Sequence, residues 1–309
     1  MSPERSDRAR SSRLHRVPPA ARPATASPRS RFLENDAYRA EREWKRYEGT
    51  PQRELFRELR TRFLRRHTAS ARDALDVGAG PGRFTSALGA DGARRVALDL
   101  SGAMLRFRPG PPGGPRPSVD AVDRVVGDAL APPFAPRSFD AVALVGNALG
   151  FAGEDAERLL SAVEALVRPR GSLIVEIAPG PGERSRYLAR LPTGAVGRLF
   201  AAPPAAVVPR IVREGFVAEP VRHRSTAFAR IDAPSLDARW RSRGWAVEEV
   251  LAIAPCLGAD PAAIGRVAAN ARQWERLLAV EEEVGRAPAR WGAAAAVLLA
   301  ARRALGGHN

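Results

Sequence analysis

The residues with the clearest chemical potential in this chain are three aspartates and a run of glycines. Asp76 stands two positions ahead of Gly78 in the stretch Ala74–Thr85, A-L-D-V-G-A-G-P-G-R-F-T, which continues through Ala79 to Gly80 and Gly82. Glycines at alternate positions remove side chains where a ligand's atoms must lie against the backbone. A carboxylate just ahead of them would repel a pyrophosphate but pair with an ammonium group. Asp99 closes the run A-L-D-L-S, 21 residues after Gly78. A carboxylate there can accept both hydroxyls of a ribose. Asp128, in V-V-G-D-A-L, is placed to accept from an exocyclic amine such as adenine presents.

Two better-known glycine loops fit less well. The nicotinamide fingerprint wants G-x-G-x-x-G with an acidic residue about twenty positions on, whereas here the glycines run G-x-G-x-G behind an aspartate. The phosphate-binding P-loop wants a Gly-Lys pair, and the only lysine is Lys45. An ammonium partner, a ribose partner and an adenine partner together describe S-adenosylmethionine. Strand-end capping accounts for any one of the three aspartates, but poorly for their joint placement.

Residues 73–179 resemble the class I S-adenosylmethionine-dependent methyltransferases, particularly the small-molecule type with D-x-G-x-G-x-G followed by L-D-x-S-x-x-M-L. The matching residues are Asp76, Gly78, Gly80 and Gly82, then Asp99, Ser101, Met104 and Leu105, then Gly127-Asp128-Ala129. Phe139-Asp140-Ala141-Val142 and the L-V-R-P-R-G-S of Leu166–Ser172 match as well. The resemblance implies an α/β, Rossmann-like fold with a seven-stranded sheet ordered 3-2-1-4-5-7-6 and strand 7 antiparallel. It also implies S-adenosyl-L-methionine as cofactor. By carry-over, Asp76, Gly78, Ala79, Gly80 and Gly82 would hold the methionine end. Asp99 would hold the ribose, with Leu100 and Met104 alongside, and Asp128 with the Ala129 backbone would hold the adenine. Gly146–Phe151, with Asn147, would lie beside the sulfonium and the acceptor.

A sulfonium is already an activated electrophile, so positioning the acceptor in line supplies much of the rate. A base is needed only if the acceptor must lose a proton early. His223 is the weak candidate, and a solvated loop histidine is its plainer reading. The N-P-P-Y type of motif that accompanies methylation of exocyclic amines in nucleic acids is replaced by Gly146-Asn147-Ala148-Leu149, which disfavours that chemistry. Cys256 is the only cysteine, so paired-cysteine mechanisms and an internal disulfide framework are disfavoured. No metal site is expected. The expected acceptor is a small molecule. The alternatives are an RNA methyltransferase using an arginine-rich leader and a non-catalytic cofactor-binding or regulatory protein.

These residues must be positioned by alternating strands and helices. Strands are expected at Ala74–Val77, Arg95–Asp99, Val122–Val126, Asp140–Val145 and Ser172–Ile177. Helices are expected at about Gly82–Leu88, Gly102–Phe107 and Asp155–Leu166, a spacing that gives a parallel sheet covered on both faces. Two helices precede them in residues 32–70, the second entered through Thr50 as N-cap and Pro51 at the first helical position. Its apolar face is Leu55, Phe56, Leu59, Phe63 and Leu64, with arginines elsewhere. Tyr38, Trp44 and Tyr47 belong to the first helix and pack against the following domain; a role for Tyr47 or Arg53 in covering a cofactor is the sharper alternative.

Residues 71–179 then form the cofactor-binding core. Residues 180–235 read as a substrate-side insertion, with Glu183–Leu191 a short helix and Ile211–Val221 and Ser225–Ile231 extended. Residues 236–309 complete the sheet. That last part contains a helix at Ser235–Arg243, a strand at Ala246–Ala254, one long helix at Ala262–Val284 and a last strand at Gly292–Arg302.

Residues 1–31 carry eight arginines against Glu4 and Asp7, a net +6 of the chain's +15, and are expected to be disordered. The rest of the excess is spread thinly and is almost all arginine, which resembles codon bias more than a nucleic-acid face. Nucleic acid is therefore the disfavoured partner. The chain offers no apolar run of the roughly 18 residues that would cross a membrane, and a cytoplasmic location is the default expectation.

Overall fold

The computed structural model describes residues 36–109, 122–177, 187–190, 217–220, 231–253, 261–288, 291, 294 and 296–304. The expectations for residues 1–31, for most of the 180–235 segment and for His223 and Cys256 lie outside the described residues. Helices α1 (Asp36–Lys45) and α2 (Pro51–Thr68) precede strand β1 (Asp73–Val77). Then follow β2 (Arg94–Asp99), α3 (Gly102–Arg106), β3 (Val122–Val126), β4 (Phe139–Leu144), α4 (Ala148–Ala152), α5 (Ala156–Leu166) and β5 (Val167–Ile177). A short antiparallel ribbon pairs β6 (Tyr187–Arg190) with β7 (Val217–Pro220). The chain continues with α6 (Ala233–Ser242), β8 (Trp245–Ile253), α7 (Pro261–Ala268), α8 (Ala271–Gly285) and β9 (Ala296–Arg303).

The main sheet has the order β3-β2-β1-β4-β5-β9-β8. β1 to β5 run parallel, and β9 is antiparallel to both β5 and β8. Numbered within the sheet, this is the expected 3-2-1-4-5-7-6 arrangement with strand 7 reversed. The order in which strands are added reverses between β1 and β4, so the loops after β1 and β4 diverge to opposite faces at the carboxyl edge. A crevice at that point is the usual ligand position of such sheets.

Side-chain alternation explains why both faces are covered. Along β4, Ala141 and Ala143 face one apolar core, and Val142 and Leu144 face the other. β9 repeats the pattern, with Leu298 and Ala300 on the first face and Val297, Leu299 and Ala301 on the second. The first core is closed by Leu55, Leu59 and Phe63 of α2 with Leu277 and Leu278 of α8. The second is closed by Leu160 and Val163 of α5 with Leu236 and Trp240 of α6. Period-two strands buried on both sides need helices on both sides, and the sequence supplies them.

Several local expectations change. The helix expected at Gly82–Leu88 is only turns and one 3-10 turn, Thr85–Ala87. Gly82 (φ +81°) and Gly89 (φ +78°) both hold left-handed conformations. Those left-handed residues break the helical path at both ends of the stretch. Gly89 instead donates to Thr68 Oγ1 at 2.9 Å, which ends the turn against α2.

The single long helix expected at Ala262–Val284 is two helices, because Asn270 leaves the helical region (φ −129°) and caps α8 by accepting from Gln273 N at 3.1 Å. Part of the short helix expected at Glu183–Leu191 is the strand β6. β5 begins earlier than expected, through an irregular segment where Arg170 takes φ +65° and the register with β4 shifts. Tyr47 lies in the turn after α1 rather than within it. The Thr50 cap is as expected, its hydroxyl accepting from Arg53 N.

One ion pair joins the helical layer to the sheet. Arg60 of α2 is not on a solvent face: its Nε and Nη2 donate to Glu176 Oε2 and Oε1 of β5, both at 2.8 Å. Each side chain is only 5% exposed. Burial alone would disfavour both charges, but each partner outweighs it, so Arg60 is raised and Glu176 lowered from their ordinary values. Glu176→Ala would strand a buried guanidinium and is expected to cost about 3–5 kcal/mol in urea unfolding. The double replacement Arg60→Leu with Glu176→Leu is expected to cost far less than that. Equal losses would show that the charge pairing is not what the single change removes.

Candidate cofactor site

The expected site residues all lie at the carboxyl ends of adjacent strands. Asp76 sits in β1, and Gly78, Ala79, Gly80 and Gly82 follow it. Asp99 ends β2, with Leu100 next and Met104 in α3. Asp128 and Ala129 follow β3, and Asn147 follows β4.

The glycine loop is held by its own backbone and by Asp99. Gly78 N and Ala79 N both donate to Leu98 O, at 2.8 and 3.1 Å, and Gly82 N donates to Ala79 O. Gly80 N donates to Asp99 Oδ2 at 2.7 Å, and Ser101 N donates to Asp99 Oδ1 at 2.8 Å. Asp99 therefore fixes the loop and the start of α3 together. Ser101 continues the device as the N-cap of α3, its hydroxyl accepting from Met104 N. Gly78 has φ +68°, and a Cβ there would stand 2.8 Å from Ala148 Cβ. Two segments from either side of the switch point meet there, and only glycine fits.

Asp76 is the most unusual group in the site. It is 1% exposed, and its Oδ2 accepts from Thr85 Oγ1 at 2.6 Å. Its Oδ1 is buried with no partner. Burial pushes its carboxyl up to about 7, with the Asp99 charge adding to the rise and the Thr85 hydroxyl working against it. An unpaired, buried carboxylate oxygen against a bare glycine loop suits a ligand that brings a cationic N–H donor. It does not suit a phosphate.

The other positions are less exceptional. Asp128 Oδ1 accepts from Leu130 N at 3.0 Å, and Gly127 N ties the loop to Asp99 O. Ala129 packs against the second core, and Met104 is fully buried. After β4, Gly146 and Asn147 take successive left-handed conformations (φ +70° and +74°) that turn the chain into α4. Gly146 N donates to Glu176 Oε2 at 3.1 Å, so the ion pair also anchors this turn. Asn147 Oδ1 is buried without a partner.

Sequence reasoning missed Thr85, Arg60 and the use of Glu176. Thr85 gave no signal of its own. A lone glutamate among the apolar residues of β5 was a signal, because a buried carboxylate demands a cationic partner. Glu176 is such a charge, and Arg60 is its partner. Around the rim, Tyr47 packs edge-on against Phe84 at 5.2 Å. Arg83 stacks on Trp44 at 3.6 Å and bonds Trp44 O and Glu48. Trp44 and Tyr47 thus pack against the following domain; the side chain of Tyr38 lies outside the described residues. Arg53 donates to Lys45 O and Glu48 O, which closes the turn between α1 and α2.

The raised Asp76 carboxyl has a measurable sign. The folded state keeps this proton up to about pH 7, while the unfolded chain releases it near the ordinary aspartate value of about 3.9. Between those values the folded state binds more protons, so the contribution of Asp76 to stability falls as pH rises, by up to about 1.4 kcal/mol per unit. Chemical denaturation of the ligand-free protein across that range is expected to show wild type losing stability relative to Asp76→Asn, levelling off above pH 7. A difference that does not change with pH would mean that Asp76 is ionised throughout.

Among the described residues no helix is long and apolar enough to cross a membrane. No cluster of His, Cys, Asp and Glu there is suited to a metal ion. A family model described as a methyltransferase domain matches residues 75–175. The chain is 35% identical over 122 residues to a demethylmenaquinone methyltransferase of Thermobifida fusca, covering 38% of this chain and 50% of that one. It is 38% identical over 102 residues to a malonyl-[acyl-carrier protein] O-methyltransferase of Methylococcus capsulatus, covering 32% and 34%. The matched region thus spans half or less of the curated relatives' length.

Among solved structures, the chain is similar to the Burkholderia thailandensis 1,6-didemethyltoxoflavin-N1-methyltransferase, with 16% identity and a TM-score of 0.45 over 89% of this chain and 87% of that one. The family match falls on β1 to β5, the same strands whose carboxyl ends carry Asp76, the glycine loop, Asp99 and Asp128. Residues 75–175 are thus similar to a methyltransferase domain, on a sheet whose strand order is the Rossmann-like one expected from the sequence.

Proposed function

We propose that this protein transfers a methyl group from S-adenosylmethionine to a small-molecule acceptor. The observation that carries the reading is Asp76: a buried carboxylate with one unpartnered oxygen, set against glycines that leave the backbone bare. In this reading Asp76 takes the ammonium of the methionine end, and Gly78 to Gly82 let that end lie on the loop. Asp99 takes the ribose hydroxyls. A carboxylate has about four acceptor sites, so its backbone bonds to Gly80 and Ser101 are compatible with that role. Asp128 and the Ala129 backbone take the adenine, while Leu100 and Met104 border the nucleoside.

The cofactor, when bound, supplies a methyl group already activated on a sulfonium. What falls to the protein is to hold the acceptor atom in line and to exclude water. Asn147 and the turn into α4 are the parts of the described chain best placed for this. The N-terminal helices of residues 32–70 and the 180–235 segment are proposed to shape the acceptor side. The relatives named above act, by their names, on a demethylated menaquinone and on a malonyl group attached to a carrier protein. Their acceptors differ, so the support they lend is for small-molecule chemistry in general.

The test is to incubate the purified protein with S-adenosylmethionine labelled in its methyl group and a fractionated metabolite extract. Label is expected in a small organic product. Label in RNA, lost together with RNA binding as salt rises, would redirect the reading to nucleic acid; no transfer to any fraction would favour a non-catalytic role. In parallel, Asp99→Ala is expected to weaken S-adenosylmethionine binding at least tenfold in calorimetry, since the change removes acceptors from bound hydroxyls and loosens the loop. An unaltered dissociation constant would remove Asp99 from the ribose.

A further inference from the structure

Buried side-chain atoms without a hydrogen-bond partner are rare in folded proteins, and each calls for an explanation. Among the described residues there are six, and four of them border the glycine loop: Tyr47 Oη, Asp76 Oδ1, Arg83 Nε and Asn147 Oδ1. Two have local explanations. Asn147 Oδ1 is turned onto its own helix, 2.1 Å from where a Cβ on Gly150 would stand. Arg83 is fixed by its stack on Trp44 and its bonds to Trp44 O and Glu48. That leaves Asp76 and Tyr47.

Tyr47 is 6% exposed, and its surroundings suit a hydroxyl that stays protonated. Burial raises its ionisation above the ordinary tyrosine value against the opposing charge of Arg60. Its ring packs edge-on against Phe84, at the end of the glycine loop. Arg60 lies 5.4 Å from the ring centroid and Arg46 lies 5.7 Å from it. Through Glu176, Arg60 is joined to Gly146 at the other wall of the crevice. Tyr47 thus presents a neutral donor beside two guanidinium groups, each held in an ion pair (Arg60 with Glu176, Arg46 with Glu43), on the same side of the sheet as Asp76.

The amino-acid end of S-adenosylmethionine carries one ammonium and one carboxylate. Asp76 matches the first, and nothing assigned so far matches the second. We infer that the Tyr47 hydroxyl donates a hydrogen bond to the cofactor carboxylate, so that the turn after α1 reads the amino-acid half together with Asp76. This rests on the cofactor reading given above and adds a residue outside the matched region 75–175 to it.

Tyr47→Phe keeps the ring that packs on Phe84 and removes only the hydroxyl. The probes are S-adenosylhomocysteine, which has the amino-acid half, and 5′-methylthioadenosine, which has the nucleoside and sulfur without it. In calorimetry the variant is expected to bind S-adenosylhomocysteine about tenfold or more weakly, the scale of a hydrogen bond to a charged group. Its affinity for 5′-methylthioadenosine is expected to stay within twofold of wild type. Thermal melts of the ligand-free variant should show it at least as stable as wild type, because an unsatisfied buried hydroxyl has been deleted. A purely packing role predicts a different pattern.

Equal loss for both ligands, or a marked drop in the ligand-free melting temperature, would overturn the inference by making Tyr47 structural. Unchanged affinity for S-adenosylhomocysteine would overturn it while leaving the cofactor reading intact. Wild type that binds neither compound would overturn both.

Discussion

The structure depends most on one buried ion pair. Arg60 of α2 and Glu176 of β5 lie together beneath the carboxyl edge of the sheet, and the carboxylate also accepts from Gly146 N. Three segments distant in sequence are fixed by that single interaction: the N-terminal helical layer, the fifth strand, and the turn that leads into α4. An apolar trio of similar volume would be as stable or more so. What it would not do is set the height of the Gly146–Asn147 turn against the glycine loop, where a Cβ on Gly78 would already collide with Ala148. The charge pair is a geometric device, and its position next to the crevice fits that use.

The fold was legible because its signals are redundant. Five apolar runs alternate with amphipathic stretches, each strand end carries an acid or a glycine, and the motifs come in order. The sheet order required the family resemblance, since nothing in the pattern of a single strand says which neighbour it pairs with. The misses share one cause, which is that local pattern was read without its partners. Gly82–Leu88 looks like a helix until Gly89 is seen to bond Thr68. Ala262–Val284 looks continuous until Asn270 turns out to cap a second helix. Arg60 looks solvated until Glu176 is seen facing it.

The site was legible in a similarly divided way. The three aspartates were picked out by their spacing alone, because strand ends in a parallel sheet converge on one edge and so bring residues 20 or more positions apart into one crevice. Thr85 was not, since a hydroxyl three residues past a glycine is indistinguishable from any turn threonine. Its role is to hold one oxygen of Asp76 and leave the other oxygen unpaired. Such division of labour within a single carboxylate depends on geometry that no spacing rule encodes. The roles of Tyr47 and Glu176 lie in the same category.

The single 3-10 turn at Thr85–Ala87 has a consequence for discrimination among the cell's nucleosides. A full helix opening beneath a glycine loop carries a positive end that draws phosphate oxygens to it. One turn has almost no such dipole, and here its first residue is spent on the Asp76 carboxylate. A di- or triphosphate entering this crevice would meet a bare backbone, a negative charge and no compensating field. The loop thus offers phosphate oxygens no helix-terminal field, which sets it apart from the glycine loops that bind pyrophosphate.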